Sequence, residues 1–365
     1  MLRRAARTVK WIGIFGILTF LAIFAFLSIE HRSEVSLPTP TGPFAVGRAI
    51  YDWTDDSASD PAAPSPQGKR EILAWIWYPA IGQPSASSDC VPASVRPPES
   101  HPGIVARLFG LLTRDKVRCH AIDNAEISPS EHSYPVVIMR GGASAPVVNY
   151  STLAEDLASH GYAVVGIDAP YRTSRVIFPD GRVIYRNPEN NPELVSGAEL
   201  NKLADKLMAA WVADMRFAIN QITELGRHDP ARRFTGRLDL TRVGAFGHSF
   251  GGAQAAQFCH DDARCKAGVD IDGAPVGSVI RDGLTQPFMF LLSDHGSNPS
   301  DAESKEIISD IHAIYDRLPP NKRALAVISG AFHFTFSDDG ALLKSRLTTA
   351  ILRVFGKLKI SGPRQ

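Results

Sequence analysis

The chain is sparing with cysteine, holding four in 365 residues, and no two of them form a C-x-x-C pair. That argues against a zinc cluster. There is no surplus of one charge. The 39 basic and 38 acidic residues leave a formal net charge of +1, so no basic stripe is set aside for nucleic acid. No glycine-rich dinucleotide loop or phosphate loop occurs, and nothing else in the letters asks for a cofactor or a metal ion. With 44% hydrophobic and 21% charged residues the balance is that of a globular protein, long enough for one large α/β domain or two small ones.

One run departs from that balance. Arg3, Arg4, Arg7 and Lys10 precede Trp11 to Ile29, 19 residues without a charge. As a helix such a run is long enough to span a bilayer, and its basic flank favours an N-terminus held inside. The letters therefore predict residues 1–33 as a transmembrane anchor or signal segment, with membrane association through residues 11–29. The rest of the chain is then extracytoplasmic, tethered to the cell membrane, or periplasmic or secreted after signal cleavage. The cysteines suit an oxidising compartment. Bridges 259–265 and 90–119 are one of three full pairings, and four free thiols are the other reading.

Residues 34–70 read as a linker or excursion, Pro/Ala/Ser-rich from Ser57 to Gly68. Residues 71–360 read as a single α/β domain with a long irregular or lid-like insertion at 80–130. Within it, residues 104–112 suggest a short amphipathic helix, either a lid or membrane-facing patch or an ordinary helix packed on the domain. Strands are predicted at Glu71–Tyr78, Pro135–Met139, Tyr162–Ile167, Val243–Phe246, Ala267–Ile271, Pro287–Leu292 and Ala324–Ile328. Helices are predicted at Tyr150–His160, Leu194–Leu225 and Ser345–Phe355. This alternation predicts a mostly parallel central sheet with helices on both faces, and a site beyond the C-terminal strand ends.

The most informative letters are Gly247-His248-Ser249-Phe250-Gly251. An apolar strand precedes them and a small-residue helix follows. Flanking glycines let the chain turn sharply enough to force the Ser249 hydroxyl into the open. This is the nucleophile elbow of an α/β-hydrolase fold. A serine hydroxyl needs a base, and His333, after the last strand, is the candidate. The imidazole needs a carboxylate. Asp272 and Asp294 both follow suitable strands, and fold habit alone leans to Asp294. Asp270 reads as a buried acceptor, and Asp168 as a residue that shapes the neighbouring loop. Two backbone donors must meet the oxyanion, and Phe250 and Ala143 are the candidates. His248, Phe250 and the aromatic residues near His333 are expected to wall the acyl pocket.

The ordered set resembles the platelet-activating factor acetylhydrolase family, the plasma-type phospholipases A2, and its bacterial relatives. The matching pieces are Ala74-Trp75-Ile76-Trp77-Tyr78-Pro79-Ala80, Leu157-Ala158-Ser159-His160-Gly161-Tyr162, Gly247-His248-Ser249-Phe250-Gly251-Gly252, Asp272 and Gly330-Ala331-Phe332-His333-Phe334-Thr335-Phe336-Ser337-Asp338. The resemblance implies that the acid is Asp272 rather than Asp294. It also implies calcium-independent hydrolysis of short or oxidised sn-2 acyl esters of phospholipids. The oxyanion loop reads Gly141-Gly142 where that family has His-Gly. Alternatives are a general short-chain carboxylesterase, a polyester- or dienelactone-hydrolase-like enzyme, and, more remotely, a catalytically dead binding protein. The expected partner is a small-molecule or lipid ester.

Overall fold

A computed structural model describes residues 2–32, 34–83, 87–96, 116–294 and 302–339. The expected helices at 104–112 and 345–355 lie outside the described residues.

The architecture is mixed α/β, with helices flanking a nine-stranded sheet. Its strands are β1 (Ala45–Ser59), β2 (Lys69–Ala80), β3 (Ile122–Asp123), β4 (Tyr134–Arg140), β5 (Ala163–Asp168), β6 (Leu238–His248), β7 (Cys265–Ile271), β8 (Phe288–Ser293) and β9 (Arg323–Ile328). Their order across the sheet is β9-β8-β7-β6-β4-β5-β2-β1-β3.

The expectation of a mostly parallel sheet holds in part. Pairing is parallel from β9 through to β5. It turns antiparallel at β5–β2 and β2–β1, and the two-residue β3 closes the edge parallel to β1. The antiparallel part comes from β2, which runs against β5, and from β1, which lies in residues read as a linker and pairs with β2 as a hairpin. Gly47 and the charged Arg48 break the apolar pattern of β1. Arg48 is nevertheless buried, its guanidinium bonded to Asp123 and to the carbonyls of Asp89 and Cys90.

Residues of β2 alternate between the two faces of the sheet, as the pleat requires. Ile72, Ala74, Ile76 and Tyr78 join the larger core, and Leu73, Trp75 and Trp77 the smaller one. Helix α3 (Gly197–Arg227) covers the first face with Leu207, Trp211, Met215, Ala218 and Ile222, the three-and-four recurrence seen in the letters. Helix α4 (Phe250–Asp261) packs there through Ala253, Ala256 and Phe258. Helix α2 (Ser151–Ser159) covers the other face with Ala154 and Ala158. Disulfides join Cys90 to Cys119 and Cys259 to Cys265.

Helix α1 (Leu2–Arg32) carries the apolar run, with Trp11, Ile12 and Phe15 exposed. Among the described residues, no helix is long and apolar enough to cross a membrane. The expected transmembrane anchor, the membrane association through residues 11–29 and the membrane-tethered placement are corrected accordingly.

Candidate active site

Strand β6 lies mid-sheet, parallel to β4 on one side and β7 on the other. It ends at His248, and α4 begins at Phe250. Ser249 sits between them at φ 57° and ψ −130°, a conformation that costs a non-glycine residue energy. Neighbours hold it there. Its N–H donates to the Ile271 carbonyl at 2.8 Å, and its own carbonyl accepts from Gly252 N–H at 2.8 Å. A side chain on Gly251 would run into the Arg140 and Gly141 carbonyls, so only glycine lets the loop after β4 close on the elbow. Gly142 then lies so near that an added Cβ would be 3.1 Å from the Ser249 Cβ.

Asp272 follows β7 at φ 52°. Its Oδ1 accepts from Ser293 N–H at 2.8 Å and its Oδ2 from the Ser293 hydroxyl at 2.9 Å. The same Oδ2 lies 2.8 Å from His333 Nδ1. Burial alone would raise the Asp272 pKa, but the bonds from His333 and Ser293 outweigh it and hold the carboxyl below its ordinary value. The Asp272 side chain is 8% exposed and that of His333 39%, so the imidazole faces solvent while its carboxylate does not. A carboxylate on Nδ1–H leaves Nε2 as the nitrogen able to accept a proton.

Asp294, the other candidate acid, does a different job. It takes the Gly330 N–H, and its own N–H donates to the Ala331 carbonyl at 3.1 Å. It braces the loop that carries His333, while Asp272 meets the ring. Asp270 is wholly buried, accepts from Gly273 N–H at 2.8 Å, and is pushed up by burial to about 8. Asp168 accepts from Val147 N–H at 3.0 Å and shapes that loop.

His248 does not form an open pocket wall, being only 3% exposed. Its Nε2 lies 2.8 Å from the His333 carbonyl and its Nδ1 2.9 Å from the Tyr150 hydroxyl. Tyr150 in turn accepts from Gly142 N–H at 2.9 Å. A carbonyl can only accept, so His248 carries its proton on Nε2 and receives the Tyr150 O–H on Nδ1. Burial first, then the neighbouring His333, pushes the His248 pKa down to about 4, which keeps this ring neutral near pH 7. Together these bonds tie the Gly141–Ala145 turn, the elbow and the His333 loop to one another. Tyr150 carried no local sequence signal, because its partner lies 98 residues away.

Phe250 is the first residue of α4, where a helix leaves its N–H groups without an intrahelical partner. Gly142 spends its N–H on Tyr150, whereas the N–H of Ala143 has no acceptor among the described residues. Among the described residues, no group of three or more His, Cys, Asp or Glu could hold a metal ion.

Residues 98–174 and 220–361 match the family described as platelet-activating factor acetylhydrolase, isoform II. The chain belongs to this family. It is 26% identical over 352 residues to a protein of Arthroderma benhamiae named probable 1-alkyl-2-acetylglycerophosphocholine esterase, covering 90% of this chain and 82% of that one. It is 25% identical over 327 residues to a platelet-activating factor acetylhydrolase of Cavia porcellus, covering 86% of this chain and 71% of that one. The solved structure of a ferulic acid esterase from Streptomyces cinnamoneus superposes with a TM-score of 0.65, covering 90% of this chain and 92% of that one. At 22% identity that likeness shows the fold alone. The chain is thus an α/β-hydrolase related at a distance to esterases and acetylhydrolases.

Proposed function

We propose that this family member is a serine carboxylic-ester hydrolase acting on short-chain esters in general. Ser249 Oγ attacks the ester carbonyl while His333 Nε2 takes its proton. Asp272 fixes the tautomer of His333 and stabilises the imidazolium that forms. The N–H groups of Phe250 and Ala143 hold the developing oxyanion. His333 then gives its proton to the leaving alcohol, and water releases the acid from Ser249 by the same route.

The observation that carries this reading is the 2.8 Å contact between His333 Nδ1 and Asp272 Oδ2, beside the strained turn at Ser249. The narrower reading, hydrolysis of short sn-2 acyl groups on phospholipids, is supported by the names of the relatives. Turnover of p-nitrophenyl acetate and labelling by a fluorophosphonate test the general reading. Ser249→Ala is expected to abolish labelling and to lower kcat by roughly 10⁴-fold or more. Labelling that survives the substitution refutes it. Rates on a short sn-2 phospholipid beside those on soluble esters decide between the general and the narrow reading.

A further inference from the structure

A cavity of about 320 Å³ lies at the C-terminal edge of the sheet, away from His333. Ligands of α/β sheets bind beyond these strand ends. Its floor is Asp168, the last residue of β5, and one wall is the indole of Trp75 on β2. Ser174 lines it and donates its N–H to the Ser144 carbonyl at 2.8 Å, which lays the cavity against the turn that carries Ala143. Val148 lines it a few residues beyond that turn. Arg175 and Tyr185 also line the hollow, and Val91 and Val95 form a wall on another side.

That wall is held in place. Val91 follows Cys90, which is bridged to Cys119 and whose carbonyl accepts from the Arg48 guanidinium at 2.6 Å. Asp168 fixes the turn before Val148 through the Val147 N–H. A hollow lined mainly by apolar side chains, with Asp168, Ser174, Arg175 and Tyr185 as its polar groups, has the ordinary form of a small-molecule site.

We propose that this cavity receives the acyl chain of the ester. The inference rests on the serine-hydrolase reading above. His333 must hand its proton to the leaving alcohol, so the alcohol lies on the His333 side of the carbonyl carbon. His333 is tied to Asp272 at the end of β7, on one flank of β6. The acyl substituent leaves the carbonyl carbon in the other direction, over the Gly141–Ala145 turn, toward the ends of β4 and β5. The cavity begins there, two strand spacings or roughly 10 Å from the column of the elbow. A medium-length acyl chain reaches it and an acetyl group does not.

The test uses the full chain and two ester series. One varies the acyl group from acetate to octanoate on p-nitrophenol, and the other varies the alcohol from ethyl to octyl on acetate. Val91→Trp fills the cavity and is expected to lower the octanoate-to-acetate ratio of kcat/KM about tenfold or more. Val91→Ala enlarges it and is expected to raise that ratio, which keeps the test decisive if the tryptophan variant fails to fold. An unchanged acyl ratio in both variants overturns the proposal. So does a change confined to the alcohol series, which would seat the leaving group there. Acetate turnover abolished by Ser249→Ala alongside either overturning result leaves the serine-hydrolase reading standing, so the two fail separately.

Discussion

The two halves of the central sheet treat buried charge in opposite ways. On the β6–β9 side, Asp272 is held by Ser293 and offers its remaining capacity to an imidazole that is 39% exposed. On the β1–β2 side, Arg172 is clamped between Asp60 and Asp214, and every one of these side chains is 1% exposed. Arg70 adds a further contact to Asp214 at 3.2 Å, and the Arg172 guanidinium lies over the Trp211 ring. Both clusters bring carboxylates to cations or potential cations. Only the first leaves one titratable nitrogen facing the cleft. A charge cluster becomes a reagent when one member keeps access to substrate, and it remains a structural tie when every member is enclosed.

Several substitutions break or sharpen this contrast. The largest effect is expected at Asp272. Asp272→Asn misplaces the His333 proton and should lower kcat on p-nitrophenyl acetate by about 10⁴-fold, whereas Asp294→Asn, which only loosens a loop, should cost about tenfold. Steady-state rates of the two variants decide, and a reversed order reassigns the acid. Next comes the enclosed cluster. Arg172→Met leaves Asp60 and Asp214 buried without their shared partner and should destabilise the fold by about 3–5 kcal/mol in urea titrations. A near-neutral result would dissolve the distinction between the halves.

A smaller loss is expected at Tyr150. Tyr150→Phe removes the hydroxyl between Gly142 and His248 and with it both hydrogen bonds, and kcat should fall about tenfold, equivalent to about 1.4 kcal/mol, with little change in KM. A change confined to KM would count against its positioning role. The last test is a pH dependence. Burial raises the folded-state pKa of Asp270 from 3.8 to about 8, so the folded protein binds this proton more tightly than the unfolded chain does. Its contribution to stability is therefore full below about pH 4 and is lost as pH rises through about 8. Asp270→Asn keeps the acceptor for Gly273 and should flatten the fall in Tm across that range, read by calorimetry at successive pH values.

Much of the site was legible because its chemistry is written locally. The Gly-x-Ser-x-Gly spacing describes a turn that fits within five residues, and His333 follows a recognisable strand. The acid was harder. Asp272 and Asp294 both end strands; fold habit leaned to Asp294, and the family resemblance was what pointed to Asp272. The structure separates them because Ser293 turns both its N–H and its hydroxyl onto Asp272. The strand at 45–59 was missed because Gly47 and Arg48 interrupt its apolar pattern. Arg48 is buried only because Asp123 and the carbonyls of Asp89 and Cys90 converge on it from distant segments. The 19-residue apolar run also misled. Reading Trp11–Ile29 as a membrane span treats apolarity along the chain as sufficient, and among the described residues no helix meets that need.

The sequence by itself determined the elbow, the identity of its serine, the α/β alternation and the pool of residues able to serve it. Those properties depend on neighbours along the chain, where steric limits and hydrophobic period act directly. Tertiary structure alone decided that Ser293 and His333 converge on Asp272, that His248 turns inward to Tyr150, and that Arg172 is enclosed between Asp60 and Asp214. Each is a contact between segments tens of residues or more apart. Its geometry is set by strand order and packing, which no local pattern of letters encodes.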